Sequence, residues 1–202
     1  MAKLSLALEV YFDYSCPYSY TVADWLGHVA ETSEMELAVN WRYFSVAQVN
    51  NPHGHAWKIW EQPLESTDRG IRAFRAAEAV RWQGAAAFER FHFALFKARY
   101  EEQRDIDDLA VLKAVASIVG IDVVQFEKDL ASQDILSKLA RDHSFAVETL
   151  GVFGTPTLVF PDGQAIFLKL STQVPSEDAV SVLSELHHLV ARRTYILEVK
   201  RP

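Results

Sequence analysis

One residue in this chain has the chemistry of a soft nucleophile: Cys16 is the single cysteine among 202 residues. Pro17, Tyr18 and Ser19 follow it, and the run Leu6-Ala-Leu-Glu-Val-Tyr-Phe12 comes before it. That run reads as a buried strand, and Asp13-Tyr14-Ser15 as a short polar turn. Proline is favoured at the first position of a helix, where its missing N–H costs nothing, so a helix is predicted to open near Cys16-Pro17. It continues to about Thr32, with Val22, Trp25, Leu26 and Val29 at helical spacing. A thiol at such a helix mouth meets unpaired backbone N–H groups and the positive end of the dipole, and both favour the thiolate. The bland alternative is an inert buried cysteine, the commonest fate of a free one. The strand–turn–Cys-Pro–helix context favours the reactive reading. A single cysteine also excludes an internal disulfide framework and a Cys-rich zinc site.

Other side chains have a weaker claim. A Cys–His hydrolase needs a histidine beside Cys16. His92 and His143 each fall on an apolar helical face, where a satisfied core histidine is the better reading. His53-Gly54-His55 and His187-His188 lack matching carboxylate or cysteine spacing, so solvated loop and helix residues are expected rather than metal ligands. Trp57 and Trp60 read as packing before pocket wall. Arg69, Arg72 and Arg75 are spaced to attract a carboxylate, but a solvated charged face explains them as well.

The elements that must position Cys16 follow from periodicity. Leu37-Ala-Val-Asn-Trp-Arg-Tyr-Phe44 alternates and is predicted to be a second strand. Asn50, Asn51, Pro52, Gly54 and Pro63 make residues 45–67 a structured loop. From about Asp68 to Leu150 the pattern is helical, with Phe88, Phe91, His92, Leu95, Phe96 and Arg99 on one face. Leu136, Leu139, Ala140, His143 and Val147 trace another, and Gly84 and Gly120 punctuate the block. Thr157–Phe160, the turn Pro161-Asp-Gly-Gln164 and Ala165–Lys169 predict a hairpin. Ser176 is expected to cap a last helix running to about Thr194. The order is β-α-β, a helical block, then β-β-α. The expected organisation is one small mixed sheet domain, residues 1–67 and 151–202, interrupted by an all-helical insertion, residues 68–150.

Composition bounds the partners. Half the residues are hydrophobic, enough for a sizeable core. A formal charge of -7 argues against nucleic acid or an anionic membrane as the main partner. No apolar run reaches membrane-span length, and the start, Met1-Ala-Lys-Leu-Ser5, has no signal-peptide pattern, so the expected location is cytoplasmic.

Two stretches carry a family resemblance. Tyr11-Phe-Asp-Tyr-Ser-Cys-Pro-Tyr-Ser-Tyr20 and, much later, Gly151-Val-Phe-Gly-Thr-Pro-Thr157, with a helical block between, resemble the DsbA-type thioredoxin-fold disulfide oxidoreductases over essentially the whole chain. The resemblance implies an α/β thioredoxin fold with a large helical insertion and a cis peptide at Thr155–Pro156, close to the sulfur. It makes Cys16 the nucleophile, with Pro17 setting the helix start and Ser19 tuning the sulfur. Tyr18, Thr155 and Pro156 become the substrate-binding residues. Those relatives usually carry Cys-x-x-Cys. Here Ser19 holds the second place, and a hydroxyl cannot resolve a mixed disulfide, so an external thiol is required. No tightly bound cofactor is expected, and a low-molecular-weight thiol such as glutathione is the natural co-substrate. The partner is a small-molecule thiol or a disulfide-bearing protein.

The same opening decapeptide is similar to that of kappa-class glutathione transferases and 2-hydroxychromene-2-carboxylate isomerases, which usually have serine where Cys16 stands. This second resemblance implies a glutathione-dependent transferase or isomerase. A third expectation is a binding module that lost turnover with its second cysteine. The oligomeric state is not legible in the sequence.

Overall fold

The computed structural model describes residues 5–32, 36–54, 56–63 and 70–200. Strand β1 (Ser5–Phe12) pairs in parallel with β2 (Glu36–Tyr43), and helix α1 (Pro17–Thr32) connects them. On its other side β1 pairs antiparallel with β3 (Thr157–Val159), in the register Tyr11↔Thr157, Val10↔Leu158 and Glu9↔Val159. A hairpin then adds β4 (Ala165–Phe167), giving the order β2-β1-β3-β4. The hairpin turn closes through Phe160 N–H to the Gln164 carbonyl and Gly163 N–H to the Phe160 carbonyl, both 2.9 Å. Gly163 has φ 81°, a conformation that favours glycine.

Strand β1 is central, and its last three residues are buried on both faces, whereas Ser5 and Ala7 earlier in the strand are exposed. Leu8, Val10 and Phe12 point into the main core, whereas Tyr11 enters a second cluster with Phe44, Ala146, Val152 and Val159. In the main core Phe12 is ringed edge-on by Tyr14, Trp41, His92 and Phe96 at centroid separations of 4.6–6.0 Å. Tyr14 lies in the turn after β1, Trp41 in β2, and His92 and Phe96 in the helical segment, so one aromatic group joins the sheet to the insertion.

Between the two halves of the sheet run α3 (Ile71–Arg81), α4 (Ala85–Tyr100), α5 (Leu109–Ile118), α6 (Val123–Leu130) and α7 (Ser137–Leu150). A short helix α2 (Val46–Val49) precedes them, and α8 (Ala179–Arg192) ends the fold. Helix α8 meets α1, where Trp25 Nε1 donates to the Ala179 carbonyl at 2.9 Å. Helix α7 is tied to β2 by Asp142, which accepts from Arg42, Lys138 and the Tyr43 N–H at 2.8–3.1 Å. Among the described residues no helix is long and apolar enough to cross a membrane.

Some local expectations are corrected. The segment after β2 is not all loop: Ser45 caps α2 by accepting the Gln48 N–H at 3.1 Å, and Ile59–Glu61 forms one 3-10 turn. The spacing Ser45-x-x-Gln48 is a capping signal, although here Gln48 spends its side chain on Trp57 and Ile59. Ser176 does not cap the last helix. Pro175 leads into a 3-10 turn over Ser176–Asp178, with no side-chain cap bond, and α8 stops at Arg192. On α7 the inward residues are Leu139, Asp142, His143 and Ala146, while Val147 is exposed. Met1, His55, Thr67, Asp68 and Arg69 lie outside the described residues.

The aromatic junction sets a stability test. Phe12→Ala removes a fully buried ring at the meeting of sheet and insertion, and it should cost about 3–5 kcal/mol in reversible denaturation. A loss below about 1 kcal/mol, the scale of an ordinary surface change, would contradict this role.

Candidate active site

Strand β1 ends at Phe12, and the chain turns through Asp13–Ser15 into α1. The Cys16 N–H donates to the Asp13 carbonyl at 3.1 Å, and the Cys16 carbonyl accepts from Ser19 and Tyr20 N–H at 3.0 and 3.4 Å. Pro17 has no N–H. The Tyr18 amide is therefore the first-turn donor that none of these bonds uses. Cys16 is partly exposed, and its Sγ donates to the Thr155 carbonyl at 3.3 Å, across 139 positions of sequence. The Thr155–Pro156 peptide is cis. Thr155 is buried, and its Oγ1 has no hydrogen-bond partner among the described residues. Pairing of Tyr11 with Thr157 delivers this contact, since it sets the residues after β1 beside those before β3.

Ser19 is fully buried rather than a surface first-turn serine. Its Oγ accepts the Asp13 N–H at 3.3 Å, and the sulfur takes Thr155, not Ser19, as its partner. Tyr18 is half-buried beneath the Lys169 ammonium, which lies 5.1 Å from its ring centroid. Pro17 is exposed and Pro156 buried.

The residue that holds this turn together is Asp13, which drew no attention beyond its place in a polar turn. It is wholly buried. Its Oδ1 accepts the Ser15 N–H at 2.7 Å, and its Oδ2 accepts the Val46 N–H, at the start of α2, at 2.8 Å. The first bond is an Asx-turn, and an aspartate directly after a strand and two residues before a serine is the pattern that signals one. Gly70 passes close by: at φ 80° it leaves room where a Cβ would lie 3.4 Å from Asp13 Oδ1.

Neither histidine considered as a base is free to act. His92 is completely buried among aromatic rings, with Nδ1 3.0 Å from the Tyr14 hydroxyl. Burial holds its pKa well below the ordinary value, and the Arg81 cation adds to this. His143 Nδ1 accepts the Ser45 N–H at 3.1 Å, and burial with the nearby Lys58 lowers its pKa to about 4. Burial also raises the pKa of Tyr14, so the Tyr14–His92 pair is neutral. Among the described residues no group of His, Cys, Asp and Glu could hold a metal. His187 stacks on Phe160 at 4.8 Å, His53 lies 5.3 Å from Trp57, and Trp60 packs beside His143 at 5.4 Å. Arg72 donates to the Asp107 carbonyl at 3.0 Å, and Arg75 is buried.

Two outcomes follow. Replacing Asp13 with alanine leaves the partly buried Ser15 and Val46 amides without their carboxylate partner and should cost about 2–4 kcal/mol, since bonds to charged groups each contribute about 1.5–3 kcal/mol. Unchanged stability by denaturant titration would refute its anchoring role. The second outcome concerns His143, whose folded-state pKa of about 4 lies below the unfolded value of 6.5. The unfolded chain then binds more protons between these values, so stability should fall as pH drops from 6.5 towards 4. A denaturation midpoint flat across that window would contradict a buried neutral His143.

Known proteins give this geometry a context. In Bacillus subtilis (strain 168) the ClpXP adapter protein SpxH is 32% identical over 124 residues, 61% of this chain, and the match spans only 40% of SpxH's own length. The structure of a 2-hydroxychromene-2-carboxylate isomerase is similar with a TM-score of 0.64 at 19% identity, covering 96% of this chain and all of that one. The cytosolic disulfide reductase DsbM from Pseudomonas aeruginosa, solved with GSH, gives 0.62 at 17% identity, with 90% of this chain and 100% of that one covered. At such identities these two structures show a shared fold. The model of the DSBA-like thioredoxin domain matches residues 7–174, taking in Cys16, the whole helical insertion and Thr155-Pro156, and the chain belongs to the DSBA-like thioredoxin domain family.

Proposed function

We propose that the protein is a thiol–disulfide oxidoreductase that works through Cys16 alone and completes its cycle with an external thiol. One observation carries this reading. The sulfur at the mouth of α1 contacts the carbonyl before the cis-proline, and the chain offers no second sulfur to close a disulfide with it.

The chemistry is ordinary exchange. Cys16 loses its proton and attacks one sulfur of a substrate disulfide. That S–S bond breaks, the far sulfur leaves as a thiolate and takes up a proton, and Cys16 is held in a mixed disulfide. An external thiolate then attacks the substrate sulfur of that bond, and Cys16 departs as thiolate. The net change converts one substrate disulfide and one thiol into a thiol and a new disulfide. Loss of the Cys16 proton also breaks its bond to Thr155, which frees that carbonyl to accept an N–H from an extended substrate. Pro17 starts the helix at whose mouth the sulfur sits, Ser19 braces the turn through Asp13, and Tyr18, Thr155 and Pro156 line the substrate side. A thiol-rich compartment such as the cytoplasm suits a cycle of this kind, and glutathione has the required chemistry without being tightly bound.

A glutathione-dependent isomerase or transferase is the second reading, and the likeness to the 2-hydroxychromene-2-carboxylate isomerase supports it. A binding role, as in the adapter SpxH, is the third. Two variants, compared with the wild type, separate them. Under the leading reading, turnover of a model disulfide needs excess small thiol and vanishes in Cys16→Ser. The acid-quenched wild type then carries a mixed disulfide or sulfenic acid at Cys16 by mass spectrometry. Ser19→Cys supplies an internal partner and should raise oxidase activity without added thiol. If Cys16→Ser retains thiol-dependent isomerase or transferase activity while the wild type exchanges no disulfide, the second reading replaces the first. An unreactive Cys16 with neither activity leaves the binding role.

A further inference from the structure

The surface beside the sulfur has a lip of unusual composition. Tyr18 stands in the first turn of α1, and the Lys169 ammonium lies 5.1 Å from its ring and 5.3 Å from that of Phe167. Phe167 faces Thr157 across the hairpin and packs on Phe153 at 4.9 Å. It also closes over the loop before the cis-proline, where a Cβ on Gly154 would lie 3.1 Å from its ring. Phe153, two residues before Thr155, is 69% exposed. The N–H of Leu168 donates to the Pro156 carbonyl at 3.0 Å, which fixes Lys169 one residue from that contact. Lys169 is exposed, and no carboxylate among the described residues forms an ion pair with it. In a chain of net charge -7, a cation held over aromatic faces rather than on an acid is open to an incoming anion.

We infer that Lys169, Tyr18, Phe167 and Phe153 form a selecting lip that favours disulfides carrying a carboxylate beside an aromatic or apolar group. The inference rests on the reading of Cys16 as nucleophile. It adds the class of partner that the nucleophile meets: an acidic, partly apolar thiol compound or an acidic–aromatic peptide segment. The rings supply contact area at small conformational cost, and the ammonium supplies the sign of charge.

The test is a single exchange step without added thiol. The probes are 5,5'-dithiobis(2-nitrobenzoate), an aryl disulfide with a carboxylate on each ring, and 4,4'-dithiodipyridine, a neutral aryl disulfide. In each, the Cys16 thiolate bonds to one sulfur, the S–S bond breaks, and one aryl thiolate leaves with its own absorbance. The ratio of the two second-order rate constants should fall about two- to fivefold in Lys169→Met, the range of an exposed ion pair, and further in Lys169→Glu. Added salt should shrink the wild-type ratio and leave that of Lys169→Met nearly flat. Phe153→Ser should lower both aryl rates relative to bis(2-hydroxyethyl) disulfide, and an unchanged ratio would overturn the aromatic half of the lip. Equal anionic-to-neutral ratios in wild type, Lys169→Met and Lys169→Glu would overturn the charge selection. If the ratios shift as expected but small thiols never complete turnover, the oxidoreductase cycle fails while the lip stands.

Discussion

The antiparallel pairing of β1 with β3 is the constraint on which the site depends. The register Tyr11↔Thr157 joins parts of the chain that are 146 positions apart, and it brings Cys16 and Thr155 together just beyond the paired residues. Without β3 the sulfur would keep its helix mouth but lose its contact with the Thr155 carbonyl, and without β1 the cis-proline loop would lose the same contact. Three residues of β3 carry this pairing, and all three are buried, so the short strand is held by packing as much as by its ladder.

Around that pairing the sequence spends buried polar groups on holding shape. Asp13 engages Ser15, Val46, Cys16 and Ser19 through its side chain and backbone, so the turn before Cys16 is fixed to the segment after β2. One residue further on, Tyr14 reaches His92 of α4 through its hydroxyl and accepts the Tyr100 hydroxyl on its carbonyl. The turn before Cys16 is thereby anchored on one side to the sheet and on the other to the insertion. A buried carboxyl group is costly unless its oxygens are hydrogen-bonded, as both of those of Asp13 are.

Much of this was legible in the residues. The apolar run of β1, the Cys-Pro helix start and the turn at Pro161–Gln164 each combine a local pattern with a local cause. The resemblance of the chain's opening and of its Thr-Pro segment to a known family pointed to the fold. What could not be read was lateral. Nothing in the spacing says that Ser19 turns inward to Asp13, that His92 answers Tyr14, or that Lys169 overhangs Tyr18, because these pairs lie on elements whose mutual rotation is set by packing. The segment after β2 was partly readable, since Ser45-x-x-Gln48 is a cap signal, but the prolines and asparagines around it obscured four helical residues. Arg72 and Arg75 have regular spacing, but they belong to α3, whose residues are largely buried, and their contacts follow from burial rather than from a solvated stripe.

The nested order of the chain has a consequence for how the molecule is made. Synthesis delivers β1, the cysteine, α1 and β2 first, then the whole helical insertion, and only afterwards the strand that brings Thr155 to the sulfur. Closing so long a loop costs entropy that grows only slowly with its length, and helices formed from local contacts shorten the distance to be spanned. During that interval the emerging polypeptide already carries its cysteine, but not the Thr155 carbonyl that later engages it. A thiol at this stage is open to any oxidant or disulfide in its surroundings. The interval is one in which covalent capture competes with maturation, and a small thiol able to reverse that capture would protect the protein's assembly whatever the sulfur does afterwards.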